Sequence, residues 1–214
     1  MKFYLDTANL KEIKEAAAMG FLDGVTTNPT LIAKEGKKFE TAIRDICEVV
    51  RGPVSAECIS EKYEEMVEEG RRIRKLAENV VVKIPMTPDG MKATKTLSGE
   101  GTRINVTLCF PPMQALFAAK AGASYISPFV GRLDDAGHDG MAVVRDIVTV
   151  YKNYQYPTEV LVASIRHPLH VLEAAKMGAN ISTMPFAVYQ KLLQHPLTDV
   201  GLVRFLEDNK KIPK

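Results

Sequence analysis

Short apolar runs rich in β-branched residues recur along the chain. They alternate with longer stretches whose apolar positions repeat every three to four residues. The runs at residues 2–6, 24–27, 54–58, 80–84, 104–108, 125–127, 160–164 and 181–184 read as strands. Their nearly continuous apolar character is that of parallel strands covered on both faces. Between them the period changes: over residues 61–77, Tyr63, Met66, Val67, Ile73, Leu76 and Ala77 recur at helical spacing. Acids come first in that stretch (Glu64, Glu65, Glu68, Glu69) and bases last (Arg71, Arg72, Arg74, Lys75), which complements a helix dipole and reads as a solvated face. Eight strand–helix units with short connections predict a single (β/α)8 barrel domain over residues 1–214. A doubly wound sheet fits less well, because the first turn, Asp6-Thr7-Ala8-Asn9, has no GxGxxG.

Two segments stand outside the alternation. Residues 128–140 contain Gly131, Asp134, Asp135, Gly137, His138 and Asp139 and form the longest predicted loop, a lid over the strand ends. Residues 198–210 read as an additional C-terminal helix. Its Val200, Leu202, Val203, Phe205 and Leu206 cover most of the circumference, so it should dock on a neighbouring subunit or across the bottom of its own barrel.

Composition removes several function classes. A chain of 214 residues is long enough for one substantial core. A net charge of +2 gives neither a nucleic-acid footprint nor a polybasic membrane anchor. No apolar stretch approaches the ~20 residues of a spanning helix, and the N-terminus enters a strand pattern with no signal-peptide core. Cys47, Cys58 and Cys109 are far apart, with no CxxC or metal-ligand spacing. The expectation is a cytoplasmic protein without metal, nucleic-acid or membrane partners.

The candidate chemistry lies where the strands end. Lys83 interrupts the apolar run Val80-Val81-Val82-Lys83-Ile84-Pro85. It is either a surface lysine at a frayed strand end or a buried amine, and burial disfavours the ammonium and frees the nucleophile. Its company decides: Asp6, Thr26, Asn28, Glu57, Asn105, Thr107, Ser127, Phe129, Ser164 and Arg166 lie at or just beyond other strand ends. In a barrel, those ends make the active site. Tyr4/Asp6, Ser55/Glu57, Val81/Lys83, Asn105/Thr107 and Val162/Ser164 should each share a face at period two.

A neutral lysine amine condenses with a carbonyl to an iminium, an electron sink that lets a neighbouring aldol bond break. Asp6 or Glu57 can carry the protons. Asn28 and Asn105 can bond substrate hydroxyls, and Thr107 can hold a water between Glu57 and the iminium carbon. Arg132 and Arg166 suit phosphate, although each alone reads equally as a structural ion pair. The glycine-rich phosphate cup common after strands seven and eight is missing. His167 and His170 read as solvent-facing or capping residues, Cys58 and Cys109 as buried filler, and Asp134 and Asp135 as a solvated turn.

Thr26-Thr27-Asn28-Pro29-Thr30-Leu31, Val82-Lys83-Ile84-Pro85, Asn105-Val106-Thr107-Leu108, Ser127-Pro128-Phe129-Val130-Gly131-Arg132 and Ala163-Ser164-Ile165-Arg166 resemble the transaldolase family, in particular its short-chain branch, which also holds fructose-6-phosphate aldolase. The resemblance runs from Phe3 to the terminal helix. It implies transfer of a dihydroxyacetone unit from a ketose phosphate to an aldose phosphate through a Schiff base on Lys83, without cofactor. It implies proton transfer by Asp6, a water held by Glu57 and Thr107, hydroxyl contacts from Asn28, Asn105 and Ser127, and phosphate contacts from Arg132, Ser164 and Arg166. It also implies pentamers or decamers. The branch's aldolases resemble this chain but carry glutamine in place of Glu57 and tyrosine in place of Phe129, so both positions point to transaldolase. Phe110-Pro111-Pro112-Met113 departs from the family's small polar residue at that place, which implies a changed helix cap.

Overall fold

The computed structural model describes residues 1–213. Strands β1 (Lys2–Asp6), β2 (Gly24–Thr26), β3 (Val54–Glu57), β4 (Val80–Pro85), β5 (Ile104–Cys109), β6 (Tyr125–Pro128), β7 (Glu159–Val162) and β8 (Ile181–Met184) pair in parallel with their sequence neighbours. β8 returns to β1, with Tyr4 opposite Thr183, and closes the barrel. Around it run α1 (Leu10–Ala18), α2 (Pro29–Lys34), α3 (Phe39–Val49), α4 (Tyr63–Ile73), α5 (Pro88–Gly99), α6 (Pro112–Ala121), α7 (Val130–Asp135), α8 (Gly140–Tyr154), α9 (Pro168–Met177), α10 (Phe186–Lys191) and α11 (Pro196–Asn209).

The predicted (β/α)8 barrel is therefore what forms, and strand alternation divides its core. Val25, Val54, Val82, Ile104, Val106 and Val162 belong to the large layer shared with the helices. Tyr4, Val81, Tyr125, Leu161, Ala163 and Ile181 make a second cluster inside the barrel, with Phe129 packed on it. Each fully buried Ile or Leu contributes about 1.5–3 kcal/mol. Local signals start the helices beside the site: Asn9 accepts from the Lys11 and Glu12 amides, and Asn28 from the Leu31 amide at 3.0 Å. At α6 the cap is changed, as expected. Pro111 offers no side-chain acceptor, and Gln114 Oε1 accepts the Phe110 N–H at 2.9 Å from the following turn.

Three expectations are corrected. On β7 the interior residues are Leu161 and Ala163, so Val162 does not share a face with Ser164 as period two predicted. Ser164 has left the strand, with φ +59. The stretch 128–140 is not a lid loop: β6 runs directly into α7, whose Val130 and Gly131 amides donate to Ala163 O (3.1 Å) and Ser164 O (3.0 Å). Its aspartates suggested a turn but serve as caps, Asp134 accepting from the Gly140 amide and Asp139 from the Ala142 amide. Finally, α11 does not pack under its own barrel. No residue of it is buried, and Leu197 and Phe205 are each 73% exposed.

Candidate active site

A cavity of about 440 Å³ opens at the C-terminal ends of the strands. Lys83 enters it from the middle of β4, where apolar neighbours bury all but 5% of the residue. In-register pairing sets Lys83 beside Glu57 on β3 and Asn105 on β5. Its Nζ lies 3.0 Å from Glu57 Oε2 and donates to Thr27 O at 3.0 Å. Burial is thus offset by a carboxylate and a carbonyl, which is how a protein holds an amine away from water. Proton exchange between Lys83 and Glu57 needs no intermediary.

Asp6 lies in the same cavity. Burial pushes its carboxyl above the ordinary carboxylate range, against the opposing pull of the Lys83 charge and the Thr26 hydrogen bond. Thr26 Oγ1 donates to Asp6 Oδ1 at 2.8 Å, and Thr183 Oγ1 lies 2.6 Å from Thr26 Oγ1. Since Thr26 spends its only proton on Asp6, Thr183 must be the donor to Thr26. This relay of hydroxyls from β8 through β2 to β1 fixes the carboxyl's orientation. A carboxyl that holds its proton more tightly than usual is suited to take a proton from a substrate hydroxyl and return it.

The far wall carries two arginines. Arg132, on α7, lies with its guanidinium carbon 5.0 Å from the centre of the Phe129 ring. Phe129 itself packs edge-on against Phe110 at 6.1 Å. Arg166 lines the cavity with Nη2 2.7 Å from Asp135 Oδ2, an exposed pair of modest strength. Ser164 lies between them in its left-handed conformation, which costs a non-glycine residue about 1–2 kcal/mol. Gly131 makes the close approach possible: a Cβ there would come within 2.2 Å of Ser164 O.

Of the residues expected at the site, Asp6, Thr26, Asn28, Glu57, Lys83, Ser127, Phe129, Arg132, Ser164 and Arg166 line the cavity together. Asn28 spends its Oδ1 on the α2 cap and leaves its amide NH₂ for a ligand. Asn105 and Thr107 do not line it. Asn105 is fully buried behind the wall, donating to Ser55 Oγ (3.1 Å) and accepting from Ser127 Oγ (2.7 Å), so it orients Ser127. After Val106 the β5–β6 register shifts and Leu108 turns left-handed (φ +56), which brings Leu108 to the cavity in place of Thr107. Thr107 Oγ1 is buried without a hydrogen-bond partner among the described residues.

Sequence reasoning missed Thr183, Leu108, Ala163 and the start of α2 (Pro29, Thr30, Leu31). Period two from Ile181 would have found Thr183; no sequence signal marks a leucine at positive φ. Of the two expectations for His170 the solvent-facing one fails and the capping one fits: it is buried, its Nδ1 accepts the Arg166 N–H at 3.3 Å just ahead of α9, and its Nε2 lies 3.0 Å from Asp134 Oδ2. Asp134 and Asp135 are accordingly paired, not a free turn. The cysteines behave as filler, since burial pushes both the Cys58 and the Cys109 thiols up, Cys109 to about 12. Among the described residues no three His, Cys, Asp or Glu side chains cluster as they would around a metal ion. No described helix is long and apolar enough to cross a membrane.

Known proteins share this chain end to end. A probable transaldolase of Desulfatibacillum aliphaticivorans is 60% identical over 214 residues, covering all of both chains. Probable transaldolases of Anaeromyxobacter sp. (strain K) and Aquifex aeolicus (strain VF5) are each 59% identical over 214 residues, covering all of this chain and 99% of theirs. Residues 3–212 match the family described as Transaldolase/Fructose-6-phosphate aldolase, and the chain belongs to that family.

Proposed function

We propose that this chain, a transaldolase by family, moves a dihydroxyacetone unit between sugar phosphates through an imine on Lys83, with the whole chain acting as one catalytic domain. The observation that carries the reading is the buried Lys83 amine, 3.0 Å from Glu57 and in the same cavity as Asp6. Glu57 takes the proton that the amine must lose before attack. Lys83 Nζ adds to the C2 carbonyl of a ketose phosphate such as fructose 6-phosphate or sedoheptulose 7-phosphate. The carbinolamine then loses its oxygen as water, protonated from the Glu57 side. Glu57 is the group that meets this water in the cavity, because the Thr107 hydroxyl is buried behind the wall and does not reach it.

With the iminium in place, Asp6 removes the C4 hydroxyl proton and the C3–C4 bond breaks. The electron pair goes to the iminium, an enamine remains on Lys83, and an aldose phosphate leaves. The enamine carbon attacks the aldehyde of an incoming aldose phosphate, erythrose 4-phosphate or glyceraldehyde 3-phosphate, and Asp6 returns its proton. Hydrolysis of the new imine frees the product. Asn28 and Ser127 hold hydroxyls, and Arg132, Ser164 and Arg166 hold the phosphate. No step in this sequence calls for a cofactor.

The competing reading within the family is an aldolase that releases free dihydroxyacetone. Phe129 speaks against it, since its ring is packed on Phe110 and brings no hydroxyl to direct water at the enamine. The deciding experiment measures glyceraldehyde 3-phosphate from fructose 6-phosphate with and without erythrose 4-phosphate. Product only with the acceptor is expected, together with a borohydride-trapped adduct on Lys83 that Lys83→Met abolishes. Equal product without acceptor sinks transaldolase; a Lys83→Met protein that still turns over sinks the imine. The same reading places the enzyme in the pentose phosphate sequence of the cytoplasm. It also makes the unburied α11 a contact with further copies of the chain, as pentamers or decamers.

A further inference from the structure

We propose that His170 is a positioning residue for phosphate: its imidazole ties the turn that carries Ser164 and Arg166 to the helix that carries Arg132, and so sets the spacing of the two guanidinium groups. This rests on the reading above, in which those residues receive the substrate's phosphate. His170 projects from α9, is 6% exposed, and does not line the cavity. Its two nitrogens face different elements. Nδ1 accepts the backbone N–H of Arg166 at 3.3 Å, and Nε2 lies 3.0 Å from Asp134 Oδ2 on α7. An acceptor at Nδ1 requires the proton on Nε2, where Asp134 takes it, so the two contacts select one neutral tautomer.

The chain of contacts extends further, because Asp134 Oδ1 accepts the Gly140 N–H at 3.0 Å and so anchors the start of α8. On the opposite side, α7 is already bonded to the turn through Gly131 N and Ser164 O at 3.0 Å. The turn between them is strained at Ser164 and has no glycine of its own to relax it. A strained turn keeps its shape only while its surroundings hold it, and His170 supplies the hold at Arg166. The Arg166 guanidinium, by contrast, has among the described residues just the exposed pair with Asp135, which a phosphate can replace. His170 thus fixes the backbone from which a movable guanidinium reaches. Removing the imidazole deletes no cavity-lining side chain but lets Arg166 drift relative to Arg132. Misplacement of a binding group by about 1 Å is enough to cost one to two orders of magnitude.

The test compares His170→Ala and Asp134→Asn with the wild-type protein on phosphorylated and unphosphorylated ligands. Two quantities are measured: inorganic phosphate affinity by titration calorimetry, and kcat and KM for fructose 6-phosphate and for unphosphorylated fructose. His170→Ala is expected to weaken phosphate about tenfold and to raise KM for fructose 6-phosphate by a similar factor, with kcat and the fructose kinetics unchanged. Asp134→Asn keeps the imidazole and should give a smaller loss of the same selectivity, so the idea does not depend on one variant folding. In an Arg166→Ala background the His170 effect should vanish. Equal losses on both sugars, or unchanged phosphate affinity in both variants, would overturn the proposal while leaving the activity intact. A wild-type protein that binds neither phosphate nor fructose 6-phosphate overturns the underlying site reading and this inference with it.

Discussion

Replacing Asp6 by asparagine should make the protein more stable and nearly inactive, and the gain should depend on pH. In the folded chain the Asp6 carboxyl holds its proton more tightly than in the unfolded chain, because burial outweighs Lys83 and Thr26. For a group whose folded pKa is raised, the stabilising contribution is fully present below the unfolded value, about 3.9 for aspartate. It is lost as pH rises through the folded value. Asparagine has no proton to lose and keeps an oxygen for Thr26. Near pH 4 it is nearly isosteric with the protonated acid, so the variant should match wild type there. Above that the difference grows by at most about 1.4 kcal/mol per pH unit. By pH 7 it cannot exceed about 4 kcal/mol, the cost of keeping an aqueous carboxyl protonated at that pH. Urea denaturation at a series of pH values and one protein concentration reads the difference directly, and other titrations cancel between the two proteins. Turnover should fall by about two to four orders of magnitude with the proton carrier gone. A variant less stable at pH 7, or a gain flat in pH, would refute the burial argument for Asp6.

Two more outcomes follow from particular contacts. Ser164→Gly should relieve the left-handed backbone and raise stability by up to about 1 kcal/mol in thermal or urea unfolding, while KM for the phosphorylated donor rises. No gain in stability would mean that Ser164 is not strained. Sedimentation velocity should find the chain larger than a monomer, and Phe205→Asp, on the face of α11 left bare, should shift it towards monomer; a monomeric wild type removes the interface.

Most of the barrel could be read from the chain because a parallel strand buried on both faces leaves a distinctive trace: a short run of Val, Ile and Ala that admits one polar residue where it meets the cavity. Lys83 and Glu57 stand out for that reason, and in-register pairing of β3 with β4 then brings them together. Reading fails where the backbone leaves the regular period. Alternation assigned Val162 and Ser164 to one face, but the chain turns left-handed at Ser164, so the serine reaches the cavity although it is out of phase with Leu161 and Ala163. The register shift after Val106 does the same on β5, hiding Thr107 and presenting Leu108. Both departures use residues without glycine's freedom, so composition carries no warning.

His170 was illegible for another reason. Its backbone partner, the Arg166 N–H, is only four positions away, but Asp134 is 36 positions earlier, and only closure of the fold brings that aspartate to the second nitrogen. The two kinds of failure meet at the same wall. The side chains that face a substrate at the centre of the barrel are set by strand register, which is periodic and can be read. Those at the end that carries Arg132 and Arg166 are set by a strained turn, a close approach at Gly131 and a buried imidazole, none of which has a period. With no glycine-rich cup in this wall, the phosphate contacts proposed above rest on guanidinium groups on flexible stems. Their usefulness then depends on how firmly the backbone beneath them is held. The irregular contacts that the sequence conceals are therefore the ones that variation in phosphate recognition should act on first, leaving Lys83, Glu57 and Asp6 untouched.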